Sequence, residues 1–212
     1  NRRLSKENTL LFQEEINSSL EIASTFYNHL KVALPEELFK KIYIYYLCDQ
    51  AKIEITLVKV IRKTLSNRDY WRDITAEDSH RLYQVEREFW RENHRYKGIL
   101  RFYESQDGVL FAIMEPKYNI LPILYKHFVR RFPRERFYIL DKRRNILFKY
   151  TQMRPELLWV DEVLINEMPL KDEYVEYWKK FFSEIAVPER ISFERQRNKL
   201  PLRVRKYMTE FV

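Results

Sequence analysis

Two glycines, Gly98 and Gly108, stand in a chain of 212 residues, where ordinary usage would place roughly 15. Phosphate-binding loops, dinucleotide fingerprints and nucleophile elbows all depend on glycine, which tolerates the left-handed backbone and a ligand's close approach to the main chain. Rossmann enzymes, P-loop NTPases, protein kinases and α/β-hydrolases are therefore disfavoured together. The single cysteine, Cys48, removes intrachain disulfides, cysteine zinc sites and iron–sulfur clusters. A reducing, cytoplasmic setting is the expectation. No apolar run approaches the 18 or so residues of a membrane span, and mean hydropathy is −0.55, so no membrane association is expected. The sequence begins at Asn1 with a polar lead-in that shows no processing pattern, which predicts that the native N-terminus is missing.

Positive charge is concentrated in two places. Of a formal net charge of +8, residues 126–144 hold eight Lys/Arg against Glu135 and Asp141, and residues 190–206 hold seven against Glu194. Each segment thus carries +6 and the rest of the chain −4. Clustering of this kind suits contact with a phosphate backbone. Arg130, Arg131, Lys142, Arg143 and Arg144 would serve from the first segment, and Arg195, Arg197, Lys199, Arg203, Arg205 and Lys206 from the second. Two solvated basic loops are the alternative.

Helical spacing runs through residues 10–65. Leu34, Leu38, Ile42 and Tyr46 recur every four residues, as do Ile53, Leu57, Ile61 and Leu65, and both sets read as core stripes. Pro35 suits a first helical turn. Thr75 with Asp78 resembles a capping box and opens a predicted helix over 76–95 that buries Leu82, Val85 and Phe89. Another side of that helix carries His80, Arg87, Arg91 and His94, next to Tyr83 and Trp90. This ridge is either a nucleic-acid contact or a solvated face paired with Glu86, Glu88 and Glu92.

Gly98 is placed to end the helix in a left-handed conformation, and the apolar period then changes to two. Residues 99–103 and 109–114 predict one hairpin. Asn119 is positioned to cap a helix to Arg131 with Leu121, Leu124, Tyr125 and Phe128 inward, and residues 136–140 and 146–150 predict a second hairpin. A helical part, 1–97, thus precedes a central ββαββ antiparallel unit, 98–150. Residues 151–170 read as a connector, and Tyr174, Trp178, Phe181 and Ile185 as a C-terminal helix before the basic tail. The whole reads as a single α+β domain, mainly helical.

The four histidines, His29, His80, His94 and His127, lie in separate segments without metal-ligand spacing, so neither a metal nor a resident cofactor is expected. Polar residues gather instead at element ends, where sites are commonly built. Glu92, His94 and Lys97 precede the first strand and Arg101 lies on it. Glu115 and Asn119 bracket the strand-to-helix turn, His127 and Arg131 share the helix, and Asp141 and Arg144 occupy the second hairpin. A general acid–base set could be drawn from His94, Arg101, Glu115, Asn119, His127 and Asp141. Caps and ion pairs account for the same residues, with Asn119 capping a helix and Asp141 clamping Arg144.

The string from Glu92 through Asn93, His94, Arg95, Tyr96, Lys97, Gly98, Ile99, Leu100 and Arg101 to Phe102 resembles a bacterial family of unknown function associated with DNA metabolism and repair. Asp107-Gly108, Glu115-Pro116, Asn119 to Pro122, His127-Phe128 and Arg131 to Pro133 extend the resemblance. Trp178, Phe182, Ile185-Ala186, Glu189-Arg190, Gln196, Pro201 and Thr209 to Phe211 carry it from about Glu21 to the end. Members are typically encoded beside a radical-SAM protein, and related copies are fused to uracil-DNA-glycosylase-like domains. The resemblance therefore implies a nucleic-acid context and a radical-SAM partner. The chain departs from the pattern at Leu140, where the family often has His or Tyr, and in lacking a recognisable upstream strand and helix.

The leading expectation is an accessory protein that binds DNA, or RNA, in repair or modification, with Tyr83, Trp90 or Tyr207 stacking on exposed bases. The alternative is an enzyme acting on nucleic acid or a nucleotide through His94, Arg101, Glu115, His127 and Asp141. A scaffold whose basic tail binds an acidic protein is a third reading.

Overall fold

The computed structural model describes residues 19–104, 108–151, 153–160, 200, 202–205 and 208. Helix α1 (Leu20–Ala33) starts where the Ser19 hydroxyl accepts a hydrogen bond from the Ile22 amide at 3.1 Å, satisfying one of the free first-turn donors. Pro35 precedes α2 (Glu36–Leu47), its fixed φ suiting a helix start. α3 (Ile53–Ser66) follows Lys52, held at φ 66°, and leads into a 3₁₀ turn, Tyr70–Arg72. The long α4 (Glu77–Ile99) comes next.

The expected core stripes of α2 and α3 drift off the core. A step of four residues advances about 40° beyond a full turn, so three steps rotate a stripe by about 120°. Leu34 and Leu38 are buried, Ile42 is half-buried and Tyr46 exposed; in the second stripe Ile53 is buried, Leu57 and Ile61 are half-buried and Leu65 is exposed. The structure buries Ile44, Tyr45 and Leu47 in α2, and Thr56, Val60 and Thr64 in α3.

On α4 the predicted stripe of Leu82, Val85 and Phe89 is buried, and it continues through Glu92, Asn93 and Tyr96. The helix starts without the expected box. Ala76 is its N-cap, while Thr75 donates to Asp73 through its amide and its hydroxyl, and Asp78 pairs with Lys63. Nor does Gly98 stop it. Among the glycines only Gly108 has positive φ, and the helix runs one residue past Gly98.

Five strands follow in the order β1-β2-β3-β4-β5: Tyr103–Glu104, Leu110–Met114, Phe137–Asp141, Ile146–Thr151 and Arg154–Trp159. The predicted all-antiparallel unit is corrected at its centre, because β2 and β3 are parallel. Helix α5 (Leu121–Arg131) carries the chain back between them, as a parallel pair requires. Asn119 does not cap α5; Ile120 takes that position without a side-chain bond, and the Asn119 amide donates to the Leu47 carbonyl instead. Asn145, at φ 54°, closes the β3–β4 hairpin, a conformation asparagine tolerates.

β5 replaces part of the predicted connector. Every one of its residues is exposed, so no alternation of buried positions announces it, and Pro155 within it suits only an edge strand. The expected C-terminal helix lies outside the described residues, which end in a short helix, Leu202–Arg205, and Met208. The main core joins Leu38, Val60 and Phe89 of the helices to Leu124 and Phe128 of α5 and to Met114, Phe137, Ile139 and Phe148 of one sheet face. On the other face Phe111, Ile113, Leu140 and Leu147 form a smaller buried cluster. No helix among the described residues is long and apolar enough to cross a membrane.

Candidate functional site

Side chains on one face of α4 recur at helical spacing and line a groove of about 1150 Å³. Arg87, Arg91 and Arg95 step along it, Tyr83 and Trp90 are interleaved with them, and His94 lies beside Arg91 and Arg95. Glu86 lies on the same wall, Lys41 joins from α2, and Gly98, Ile99 and Leu200 complete the lining. Tyr83 is 47% and Trp90 41% exposed. Trp90 packs edge-on against the buried Phe89 at 5.4 Å, which supports its indole while leaving it accessible.

The acidic residues expected to neutralise this ridge are engaged elsewhere. Glu86 accepts from Lys41 Nζ at 3.1 Å and from Tyr45 Oη at 3.3 Å, both on α2. Glu88 accepts from Lys117 Nζ at 2.7 Å and from Tyr118 Oη at 2.5 Å. Those two hydrogen bonds hold its carboxyl below the usual range, with a smaller pull from the charges of Lys117 and Arg91. Glu92, buried, accepts from the backbone amides of Lys117 and Tyr118 at 2.9 and 2.8 Å. No hydrogen bond or ion pair of the Arg87, Arg91 or Arg95 side chains occurs among the described residues. The helix therefore turns Glu88 and Glu92 toward the 115–120 loop and Arg87, Arg91 and Arg95 toward the groove, with Glu86 held by α2 at the groove wall.

The same loop is fixed from the other side by Arg144. Its guanidinium donates to Asp141 at 3.0 Å, to Asp49 at 3.2 Å, and to the carbonyls of Pro116 and Lys117 at 3.2 and 2.8 Å. Asp141 is fully buried and also accepts from the Arg143 amide. Burial pushes its pKa up to about 6, opposed by the charge and hydrogen bond of Arg144. Such geometry holds a turn, and Arg144 points inward with its donors taken rather than toward a phosphate.

The six candidate acid–base residues occupy different settings. His94 is exposed on the groove. Arg101 donates to the Gly98 carbonyl at the end of α4. Glu115 and Asn119 are half-buried in the 115–120 loop, with Asn119 Oδ1 buried and without a hydrogen-bond partner among the described residues. His127 Nε2 is likewise buried and has no hydrogen-bond partner among the described residues; burial pushes the imidazole pKa down, and the charges of Lys97, Arg131 and Arg130 add to that. Asp141 belongs to the turn. No group of three or more His, Cys, Asp or Glu able to hold a metal ion occurs among the described residues.

Residues 51–210 match DUF4130, a domain-of-unknown-function family. The chain belongs to this family. No protein of curated function and no solved structure matches it. The DUF4130 span starts just before α3, later than the Glu21 suggested by the motifs, and contains α4 with all three groove arginines.

Of the basic residues expected to meet phosphate, Arg130 and Arg131 end α5, and Lys142 and Arg143 lie in the β3–β4 turn; all four are exposed. Arg131 also covers the Phe132 ring, 5.5 Å from its centroid. Arg205 donates to the Leu200 carbonyl, Arg203 is described by its backbone alone, and Arg195, Arg197, Lys199 and Lys206 lie outside the described residues. Lys41 and Arg95 are absent from the charge-based reading. Arg95 is legible in hindsight, one turn beyond Arg91 on the same DUF4130 helix. Lys41 is not, because it meets Glu86 across 45 residues of sequence.

Proposed function

We propose that this chain is an accessory protein that binds a nucleic-acid strand along the α4 groove, in bacterial DNA repair or modification. The observation that carries the reading is the row of Arg87, Arg91 and Arg95, with no hydrogen bond or ion pair among the described residues, interleaved with the exposed rings of Tyr83 and Trp90. Arginines track a phosphate backbone while aromatic faces stack on bases, the combination used for strands whose bases are unpaired. The setting in repair, and the radical-SAM partner, come from the family resemblance. With Cys48 as the only cysteine, cluster ligation and radical chemistry belong to that partner.

Fluorescence anisotropy with a labelled single-stranded oligonucleotide tests the reading. Three phosphate contacts on a single strand give a salt slope near −2, so affinity should fall about twentyfold between 50 and 200 mM salt. Arg87→Glu with Arg91→Glu should weaken binding by at least about tenfold while Tm stays nearly unchanged, since exposed charges contribute little to stability. Binding that ignores both salt and these substitutions would refute it.

A further inference from the structure

We infer that the groove discriminates between bases, and that Glu86 favours those presenting an amino donor on the Watson–Crick edge, cytosine over thymine or uracil among pyrimidines. The inference rests on the reading of the groove as a nucleic-acid site and adds to it a determinant of sequence preference.

Glu86 stands three residues after Tyr83 and four before Trp90, so the three residues share one helix face and line the same groove, Glu86 between the two exposed rings along the helix. The axial steps are about 4.5 and 6 Å. Both rings are thus about one helical turn from Glu86 along the axis, which puts a base stacked on either one in its neighbourhood. The carboxylate is anchored rather than free: Lys41 Nζ and Tyr45 Oη both donate to Oε2. With the side chain 14% exposed, those donors fix its orientation, and Oε1 takes no hydrogen bond among the described residues. The groove is thus supplied with an oriented acceptor set in an otherwise cationic lining.

An ionised carboxylate can only accept. Cytosine offers its N4 amino group to such an acceptor, whereas thymine and uracil present O4 at the same position and set oxygen against oxygen. Cytosine and thymine have one ring each and identical backbones, so stacking on Trp90 and pairing with Arg87, Arg91 and Arg95 leave them nearly equal. What distinguishes them here is Glu86.

Anisotropy titrations of labelled oligodeoxycytidine and oligodeoxythymidine of equal length, at slightly alkaline pH and matched salt, decide the matter. The wild-type chain should prefer the cytosine oligomer by about tenfold, the scale of one hydrogen-bonded base contact. Glu86→Gln retains an oxygen for Lys41 and Tyr45 and adds an amide donor that can meet O4. It should bring the two affinities within about threefold of each other, and a merely structural Glu86 would leave the ratio unmoved. Arg87→Glu should weaken both oligomers alike and preserve the ratio. Equal wild-type affinities, with Arg87→Glu still weakening both, would overturn base selection and leave the groove reading standing. No binding of either oligomer at low salt would overturn the groove reading itself.

Discussion

Asp141 illustrates how one buried side chain carries opposing electrostatic effects. Its folded pKa, pushed up to about 6, lies above the ordinary carboxylate value of 3.8, so the folded chain holds this proton more tightly than the unfolded chain does. The sign follows: protonated Asp141 is most favourable at pH below about 4, and its contribution declines as pH rises toward about 6, by about 3 kcal/mol in all. Urea unfolding of wild type and Asp141→Asn over that range should show wild-type stability falling relative to the variant. A constant difference would mean that Asp141 does not titrate there. The pairing of Asp141 with Arg144 was legible from their three-residue spacing in a turn. The Asp49 partner, 95 residues away, and the carbonyls of Pro116 and Lys117 were not, because no local pattern encodes a contact made by chain reversal.

At the scale of elements, the two glycines predict opposite outcomes. Gly98 lies in α4 with helical backbone, and an added Cβ would meet nothing within 4 Å. Gly98→Ala should therefore stabilise the chain by about 0.5–1 kcal/mol, raising Tm by about 1–4 °C. Gly108 has φ +67°, and Gly108→Ala should cost about 1 kcal/mol through left-handed strain. Calorimetry on the two variants checks both, and a destabilised Gly98→Ala would restore Gly98 as a helix stop. The sequence pattern located α4, α5 and strands β2 to β4 within a few residues, because their buried positions keep the helical or strand period. It did not show that β2 and β3 run parallel, since alternation is the same in either direction. It also passed over β5, whose pairing comes from backbone bonds to β4 rather than from a buried face.

For the molecule as a whole, charge is organised by separation. Net charge pointed to the two most basic segments, yet the groove arises on a helix whose acids and bases balance in sequence and diverge in space, Glu88 and Glu92 turning to the 115–120 loop and Glu86 being neutralised by Lys41 at the groove wall. That divergence depends on α2 and the 115–120 loop reaching α4, which periodicity does not encode. The periphery is held quite differently. α1 has no buried residue, with Leu20 92% and Val32 85% exposed, and meets α2 through Tyr27 edge-on to Phe39 at 5.0 Å. A helix of 14 residues with so little packing is marginal by itself. Its amides should exchange with deuterium far faster than those of α4, measured by mass spectrometry, and equal protection would show α1 to be part of one cooperative unit. Heating should then register in far-ultraviolet circular dichroism as two events. A gradual loss of ellipticity from the fraying first helix would come before the sharp transition of the sheet and the helices packed on it.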